Sequence, residues 1–176
     1  MHRSRGELVL KGEIPAAWTP LDFLLFGGAI RVSTSNHAGD EARIVEIIGS
    51  LFDAISWAEG RPPDFDRFSA AVRDDAIIVP AARPAAPTDI VSFVKRMSSL
   101  HTDGAMKTFD ERARKTVVKV FGNVAVAIGG FETVADGSTG RGVNAFLFIR
   151  EASDWRIAAM AWDNETPTTR LPQELA

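Results

Sequence analysis

Glu111 is the carboxylate whose neighbours in the sequence most favour proton chemistry. It follows Phe109 on one face of a predicted strand, because alternate residues of a strand point to the same side. A carboxylate among apolar neighbours has a raised pKa and can act as a general acid or base. The alternative is an ion pair with Arg112 or Arg114, although alternation places both arginines on the opposite face. Glu111 is therefore the first catalytic candidate.

A second polar side chain, Asn144, begins an apolar strand. Alternation puts it on one face with Phe146 and Phe148, where its amide could donate a hydrogen bond to a carbonyl or epoxide oxygen. The alternative is a hydrogen bond to neighbouring backbone at the start of the strand. Asn144, Phe146 and Phe109 are therefore predicted ligand-binding residues.

The last predicted strand carries Met160 and Trp162 on one face, and Asp163 follows directly. We expect Met160 and Trp162 to bind a ligand, although aromatic side chains at strand spacing more often belong to the core. Asp163 stands where the strand ends, at the expected mouth of a cavity. It is the second catalytic candidate.

Two further ligand-binding candidates lie at the ends of predicted helices. His101 precedes Asp103 by two residues, and a His–Asp pair is common in proton-transfer sites. The alternative is a histidine that interacts with the helix dipole. Trp57 follows the first helix. The remaining histidines, His2 and His37, are scattered, so no metal site is predicted.

Composition excludes several classes of function. The chain has 176 residues with a net charge of -3 and lacks a basic patch, which disfavours nucleic acid as a partner. It has no cysteine, so disulfides and thiolate sites are impossible. We find neither a bilayer-spanning segment nor a clear signal peptide. We therefore expect a cytoplasmic protein without a membrane partner or a cofactor.

Helical patterns fill the first half of the chain and strand patterns fill the second. This order predicts an α+β fold rather than the alternating pattern of a parallel sheet. The predicted order is helix, helix, short strand, helix and then the strands of a curved antiparallel sheet. The helices are expected over 40–59, after Asp64, and from Thr88 to near Gly104. The short strand is expected over 76–79, and the other strands follow from Ala105 onward. With the three helices on its concave side, such a sheet forms a cone with an apolar cavity.

The chain ends differ from this pattern. Residues 1–37 are predicted to be an irregular N-terminal extension, residues 38–165 the domain, and residues 166–176 a C-terminal tail. The extension is interpreted as disordered, as an arm on a partner subunit, or as the result of a start codon assigned too early. Its apolar run over 21–30 favours docking.

Several fragments, in order, resemble the nuclear-transport-factor-2-like superfamily, also known as the ketosteroid-isomerase-like or polyketide-cyclase-like fold. The resemblance covers about 40–165 and looks like one uncharacterised bacterial branch. The fragments are Phe52-Asp-Ala-Ile-Ser-Trp57 with Gly60 and Pro63-Asp-Phe-Asp66, Phe109-Asp-Glu111, Phe121-Gly-Asn-Val-Ala125, Arg141-Gly-Val-Asn144, and Trp155 to Asp163.

The resemblance implies a cone with a pocket, often dimeric through the face of the sheet. It does not imply one chemistry, because the fold hosts isomerases, dehydratases, epoxide hydrolases, cyclases and binding domains. The best-known enzymes of the fold use tyrosine hydroxyls, and this sequence contains no tyrosine. None of their mechanisms can therefore be carried over whole.

Three functions are compatible with these residues. The sequence narrowly favours a domain that binds a small apolar or aromatic ligand without chemistry, because it lacks tyrosine and a convergent acid–base pair. The alternatives are a proton-transfer enzyme, that is an isomerase, dehydratase or cyclase, using Glu111 or Asp163 with Asn144, and an interaction module that dimerises through the sheet face.

Overall fold

The computed structural model describes residues 37–81 and 84–176. Apart from His37, which begins the first helix, the predicted extension over 1–37 lies outside the described residues. The elements in chain order are α1 (His37–Ile55), α2 (Phe65–Ala70), β1 (Val72–Pro80), α3 (Ile90–Thr102), β2 (Phe109–Phe121), β3 (Val124–Ala135), β4 (Ser138–Glu151), β5 (Asp154–Asn164) and a 3-10 helix (Gln173–Leu175).

The helices form where apolar spacing and capping residues predict them. The four residues of α1 at helical spacing, Ile44, Ile48, Leu51 and Ile55, are all buried. Asp64 caps α2 as expected, since its Oδ1 accepts a hydrogen bond from the backbone N–H of Arg67 at 2.9 Å.

Three predicted helix boundaries are wrong. The helix α1 begins at His37 rather than at 40. The helix α1 ends at Ile55 rather than at 59, because the backbone of Trp57 pairs with Phe109 in an isolated bridge. The N-cap of α3 is Asp89 rather than Thr88, since the carboxylate of Asp89 accepts a hydrogen bond from the N–H of Ser92 at 2.7 Å.

The five strands of the described residues form one open sheet in the order β1-β5-β4-β3-β2. The pairs β2–β3, β3–β4 and β4–β5 are antiparallel, whereas β1 runs parallel to β5. The fold class is confirmed as α+β, but the sheet is mixed rather than purely antiparallel. β1 and β2 form opposite edges of the sheet, and the antiparallel series from β2 to β5 leads back to β1, where the last pair is parallel.

The two faces of the sheet have different surroundings. The inner face carries Phe131, Phe146 and Phe148 against the helices, and these side chains belong to the core. The outer face carries Val126, Ile128 and their neighbours, which remain exposed. A β-bulge between β4 and β5 shifts the alternation of side chains along β5, so that side chains on both sides of the bulge face inward.

The C-terminal tail folds back onto β3. Glu165 accepts hydrogen bonds from Arg141 Nε at 3.1 Å and from the Leu171 N–H at 3.2 Å, and Leu175 is buried. A Cβ at Gly130 would collide with the carbonyl oxygen of Leu175. Gly130 alternates with the inward Phe131, so we infer that the tail crosses the outer face of the sheet.

None of the helices in the described ranges is long and apolar enough to cross a membrane.

Candidate functional site

A cavity of about 220 Å³ lies between the helices and the inner face of the sheet. It is smaller than the ~300–1,000 Å³ typical of ligand sites, so it suits a compound of one or two rings. Its walls are mainly aromatic and aliphatic, including Phe52, Phe93, Phe109, Phe131 and Trp162. Its polar lining residues are Arg96, Glu111, Thr133, Asn144 and Asn164.

Glu111 is held in the cavity wall by the start of β2. Its backbone N–H donates to Ser56 Oγ at 2.9 Å, and Ser56 Oγ in turn donates to the carbonyl of Phe52 at 2.7 Å. This chain of hydrogen bonds ties the strand to the end of α1. The Glu111 side chain points to the inner face with Thr133, its partner in the β2–β3 ladder.

Burial raises the pKa of the Glu111 carboxyl to about 7, and the amide of Asn144 partly offsets this effect. Glu111 as a residue is half-buried and borders the cavity. A carboxyl with this pKa is present in both protonation states near neutral pH. It can therefore donate or accept a proton there.

Asn144 lies near Glu111 on the inner face, two strands away. It is 4% exposed and pairs with Trp162 of β5 in the β4–β5 ladder. The Asn144 side chain hydrogen-bonds to the Glu111 carboxyl closely enough to lower its pKa, and apart from Glu111 its buried Nδ2 has no partner in the described part of the chain. The amide group has two N–H donors, so one of them is left for a bound oxygen atom.

The arginines near Glu111 in sequence do not neutralise it. Arg112 Nε lies 2.6 Å from the carboxylate of Asp110, and an Arg114 guanidinium nitrogen lies 2.7 Å from that of Glu132. Within residues 37–81 and 84–176, Glu111 forms no salt bridge. Its carboxyl therefore differs from an ordinary surface ion-pair partner.

Three more of the predicted ligand-binding residues also line the cavity, namely Phe109, Met160 and Trp162. Trp162 makes an edge-to-face contact with Phe93 of α3, with ring centroids 5.9 Å apart. This contact links β5 to the helical side of the cavity.

Four other predicted site residues lie outside the cavity lining. Phe146 is buried in the core against Phe52, with ring centroids 6.4 Å apart. Trp57 is buried behind the wall, where its Nε1 donates to the Met106 carbonyl at 3.1 Å. The ring of His101 packs on that of Trp57 at 5.5 Å.

Asp163 is the fourth of these residues. It follows the inward-pointing Trp162 in β5, so strand alternation directs its side chain to the outer face. Its Oδ1 accepts a hydrogen bond from the Asn164 N–H at 2.8 Å. Glu111 is therefore the one catalytic candidate that the fold brings together with Asn144.

Sequence reasoning missed the polar residues Arg96, Thr133 and Asn164. Arg96 lies on α3 between the buried Phe93 and Met97, and only the position of that helix over the sheet brings it to the cavity. Thr133 had a usable signal, because it lies on the inner face of β3 two residues after Phe131.

Among the described residues, no group of three or more His, Asp or Glu side chains is arranged to hold a metal ion. The arrangement offers one proton-exchanging carboxyl, one amide donor and an apolar, aromatic surrounding. Such a site can bind a small apolar molecule and move a proton to or from it.

Comparison with known proteins places the fold. No family model matches the sequence, and no curated protein matches it. Among solved structures, the Kfla4162 protein of Kribbella flavida aligns with a TM-score of 0.61 at 16% identity, over 74% of this chain and 94% of that one.

Two other solved structures give the same picture. A Novosphingobium aromaticivorans protein provisionally named scytalone dehydratase aligns with a TM-score of 0.61 at 9% identity, over 80% of this chain and 93% of that one. A nuclear-transport-factor-2-like protein of unknown function from Shewanella baltica aligns with a TM-score of 0.53 at 11% identity, over 75% and 98%. The chain thus has the nuclear-transport-factor-2-like fold that its sequence fragments resemble.

Proposed function

We propose that the cavity binds a small apolar molecule bearing a carbonyl oxygen, and that Glu111 exchanges a proton with this molecule. The supporting observation is a carboxyl that forms no salt bridge within the described residues, beside an amide with a spare N–H donor, in an aromatic cavity. Asn144 donates a hydrogen bond to the oxygen on which negative charge develops. Isomerisation, dehydration and cyclisation all begin with such a proton transfer.

Binding without chemistry, which the sequence alone favours, becomes the second candidate. The apolar walls support it, but they do not account for an ionisable group in the cavity, since burying one opposes folding. One structural neighbour carries the provisional name of a dehydratase, a class that falls within our proposal. Because the chain has no tyrosine, we assign to Asn144 the hydrogen bond to the carbonyl oxygen of the ligand.

The protonation of Glu111 tests the proposal directly. In protein labelled with 13C at the glutamate carboxyl carbons, the Glu111 signal, assigned by its loss in Glu111→Gln, should titrate with a midpoint near 7. Asn144→Leu should raise this midpoint, because the amide of Asn144 lowers the pKa of Glu111. Lys95→Gln, outside the cavity, should leave it unchanged. A midpoint at or below the ordinary glutamate value of about 4.3 would contradict the proposal.

We further propose that two copies of the chain associate through the outer face of the sheet. Val126 and Ile128 are 51% and 45% exposed there, and Val117 and Leu147 extend the apolar surface onto both neighbouring strands. A shallow apolar depression of about 420 Å³ lies on the same face. A largely apolar sheet face this exposed, with Lys119 among the residues of the depression, is unusual on a monomer, and the same face of a second copy is a fitting partner for it.

A charge on this face should therefore change the mass of the protein in solution. We expect the wild type to sediment as a dimer and Ile128→Glu as a monomer, because association would remove the added carboxylates of both copies from water. Val91→Glu is the matched control, since Val91 is 74% exposed on α3, away from this face. A monomeric wild type at high protein concentration, or a dimeric Ile128→Glu, would contradict the dimer.

A further inference from the structure

Arg96 is a cation at the opening of the cavity. It is exposed on α3, whereas Phe93 and Met97 of the same helix are buried, and all three line the cavity. Asn164, also exposed, borders the cavity with it. Within the part of the chain that the structure describes, no carboxylate forms a salt bridge with Arg96. Its guanidinium group is therefore available to a ligand.

Arg96 and Glu111 are the charged residues among the described residues that line the cavity. A guanidinium group beside Glu111 would lower the pKa of that carboxyl, whereas burial raises it and the described cations do not offset this effect. Arg96 and Glu111 are therefore apart in the cavity. Arg96 is exposed at its opening, whereas Asn144, beside Glu111, is buried.

We propose that the ligand is an amphipathic carboxylate, with its charged group bound by Arg96 and its apolar ring body in the cavity. This inference rests on the proposed function, and it adds the chemical class of the substrate. A guanidinium group binds a carboxylate with two parallel hydrogen bonds, so Arg96 fixes both the affinity and the orientation of the molecule. The end of the ligand remote from the carboxylate then lies toward Glu111 and Asn144.

A matched pair of probes separates the contribution of charge from that of the ring. The probes are 2-naphthoate and its neutral analogue 2-naphthamide, and the full chain is titrated with each by calorimetry. We expect the wild type to bind 2-naphthoate more tightly. Arg96→Gln should weaken 2-naphthoate about fivefold, the size of one exposed ion pair, and leave 2-naphthamide unchanged.

Three variants make the result specific. Arg96→Lys should recover part of the loss, because it keeps the charge without the planar guanidinium group. Lys95→Gln removes the same charge from the same helix outside the cavity lining, and should have no effect. Glu111→Gln should keep the preference for 2-naphthoate, since Arg96 alone confers that preference.

The failures of the two proposals can be told apart. Equal binding of both probes by the wild type, or equal losses in Arg96→Gln and Lys95→Gln, would overturn the carboxylate inference and leave the Glu111 proposal standing. If neither probe bound, the aromatic cavity would not be a ligand site. Both proposals would then be overturned.

Discussion

Replacing Glu111 with Gln should abolish the exchange of α-protons of a cyclic ketone bound in the cavity. With 2-tetralone in D2O, the Glu111 carboxylate removes a proton from the carbon next to the carbonyl group. The electrons of the C–H bond move into the enolate, whose oxygen accepts a hydrogen bond from Asn144 Nδ2. The protonated Glu111 carboxyl exchanges its proton for a deuteron from D2O and then donates the deuteron to the carbon, which restores the ketone and the carboxylate. Loss of a positioned general base costs about 10²–10⁴-fold in rate, so the exchange seen by proton NMR should fall by at least about a hundredfold.

The pH dependence of exchange and two further variants test whether Glu111 is the base. The exchange rate should rise as pH increases through about 7, because the ionised carboxylate is the base and burial raises the pKa of Glu111 to about 7. Asn144→Leu should slow exchange by about 10²-fold, as for loss of one oxyanion donor. Lys95→Gln should retain the full rate. Wild-type exchange no faster than buffer, or an unchanged rate in Glu111→Gln, would count against proton transfer.

Replacing Trp57 with Ala should destabilise the protein by about 3–5 kcal/mol. The Trp57 ring is buried against Phe109, with ring centroids 5.1 Å apart, and against His101. The change also removes the donor to the Met106 carbonyl. The backbone pairing of Trp57 with Phe109 is independent of the side chain, so the loss reports on the ring itself.

Urea unfolding followed by circular dichroism measures this loss. Trp57→Phe is the matched variant, because it keeps most of the ring and removes the indole hydrogen bond. We expect it to lower the free energy of unfolding by about 1 kcal/mol. A loss below about 1 kcal/mol for Trp57→Ala would mean that the ring does not support the start of β2, where Glu111 is positioned.

The sequence predicted the elements best where the pattern is local. The apolar spacing in α1 and the cap at Asp64 depend on neighbours within a few residues, and the structure has both. The connection between β3 and β4 is a tight turn between two long strands. Asp136 and Gly137 have φ of 48° and 83°, and an Asp-Gly pair of this kind was the available hairpin signal.

Non-local pairing defeated the alternation rule. Strict alternation along β5 would place Trp155 and Ile157 on one face of the sheet and Met160 on the other. A register shift at Ala158, which has no partner in β4, brings all three of these side chains to the buried face. The parallel pairing of β1 with β5 likewise has no local signature. A bulge and a distant partner both depend on how strands meet in space.

In the candidate site, too, local sequence patterns predicted some residues, whereas others depend on contacts between distant elements. Glu111 and Asn144 could be predicted from strand faces, because each has aromatic neighbours at a spacing of two. Arg96 could not, because the position of α3 over the sheet decides which of its exposed residues reaches the cavity. Asp163 was misplaced because it adjoins Trp162 in sequence and therefore points to the opposite face.

The buried carboxyl also has a consequence for how this protein would respond to selection. Because the folded state raises the pKa of Glu111, ionisation opposes folding. The stability associated with the protonated carboxyl is fully present below the ordinary glutamate pKa and is lost as pH rises through about 7. A laboratory evolution experiment that rewards only thermal resistance in alkaline medium would therefore favour an apolar or amide side chain at this position. The selected variants would gain thermal stability and lose the group that exchanges the proton.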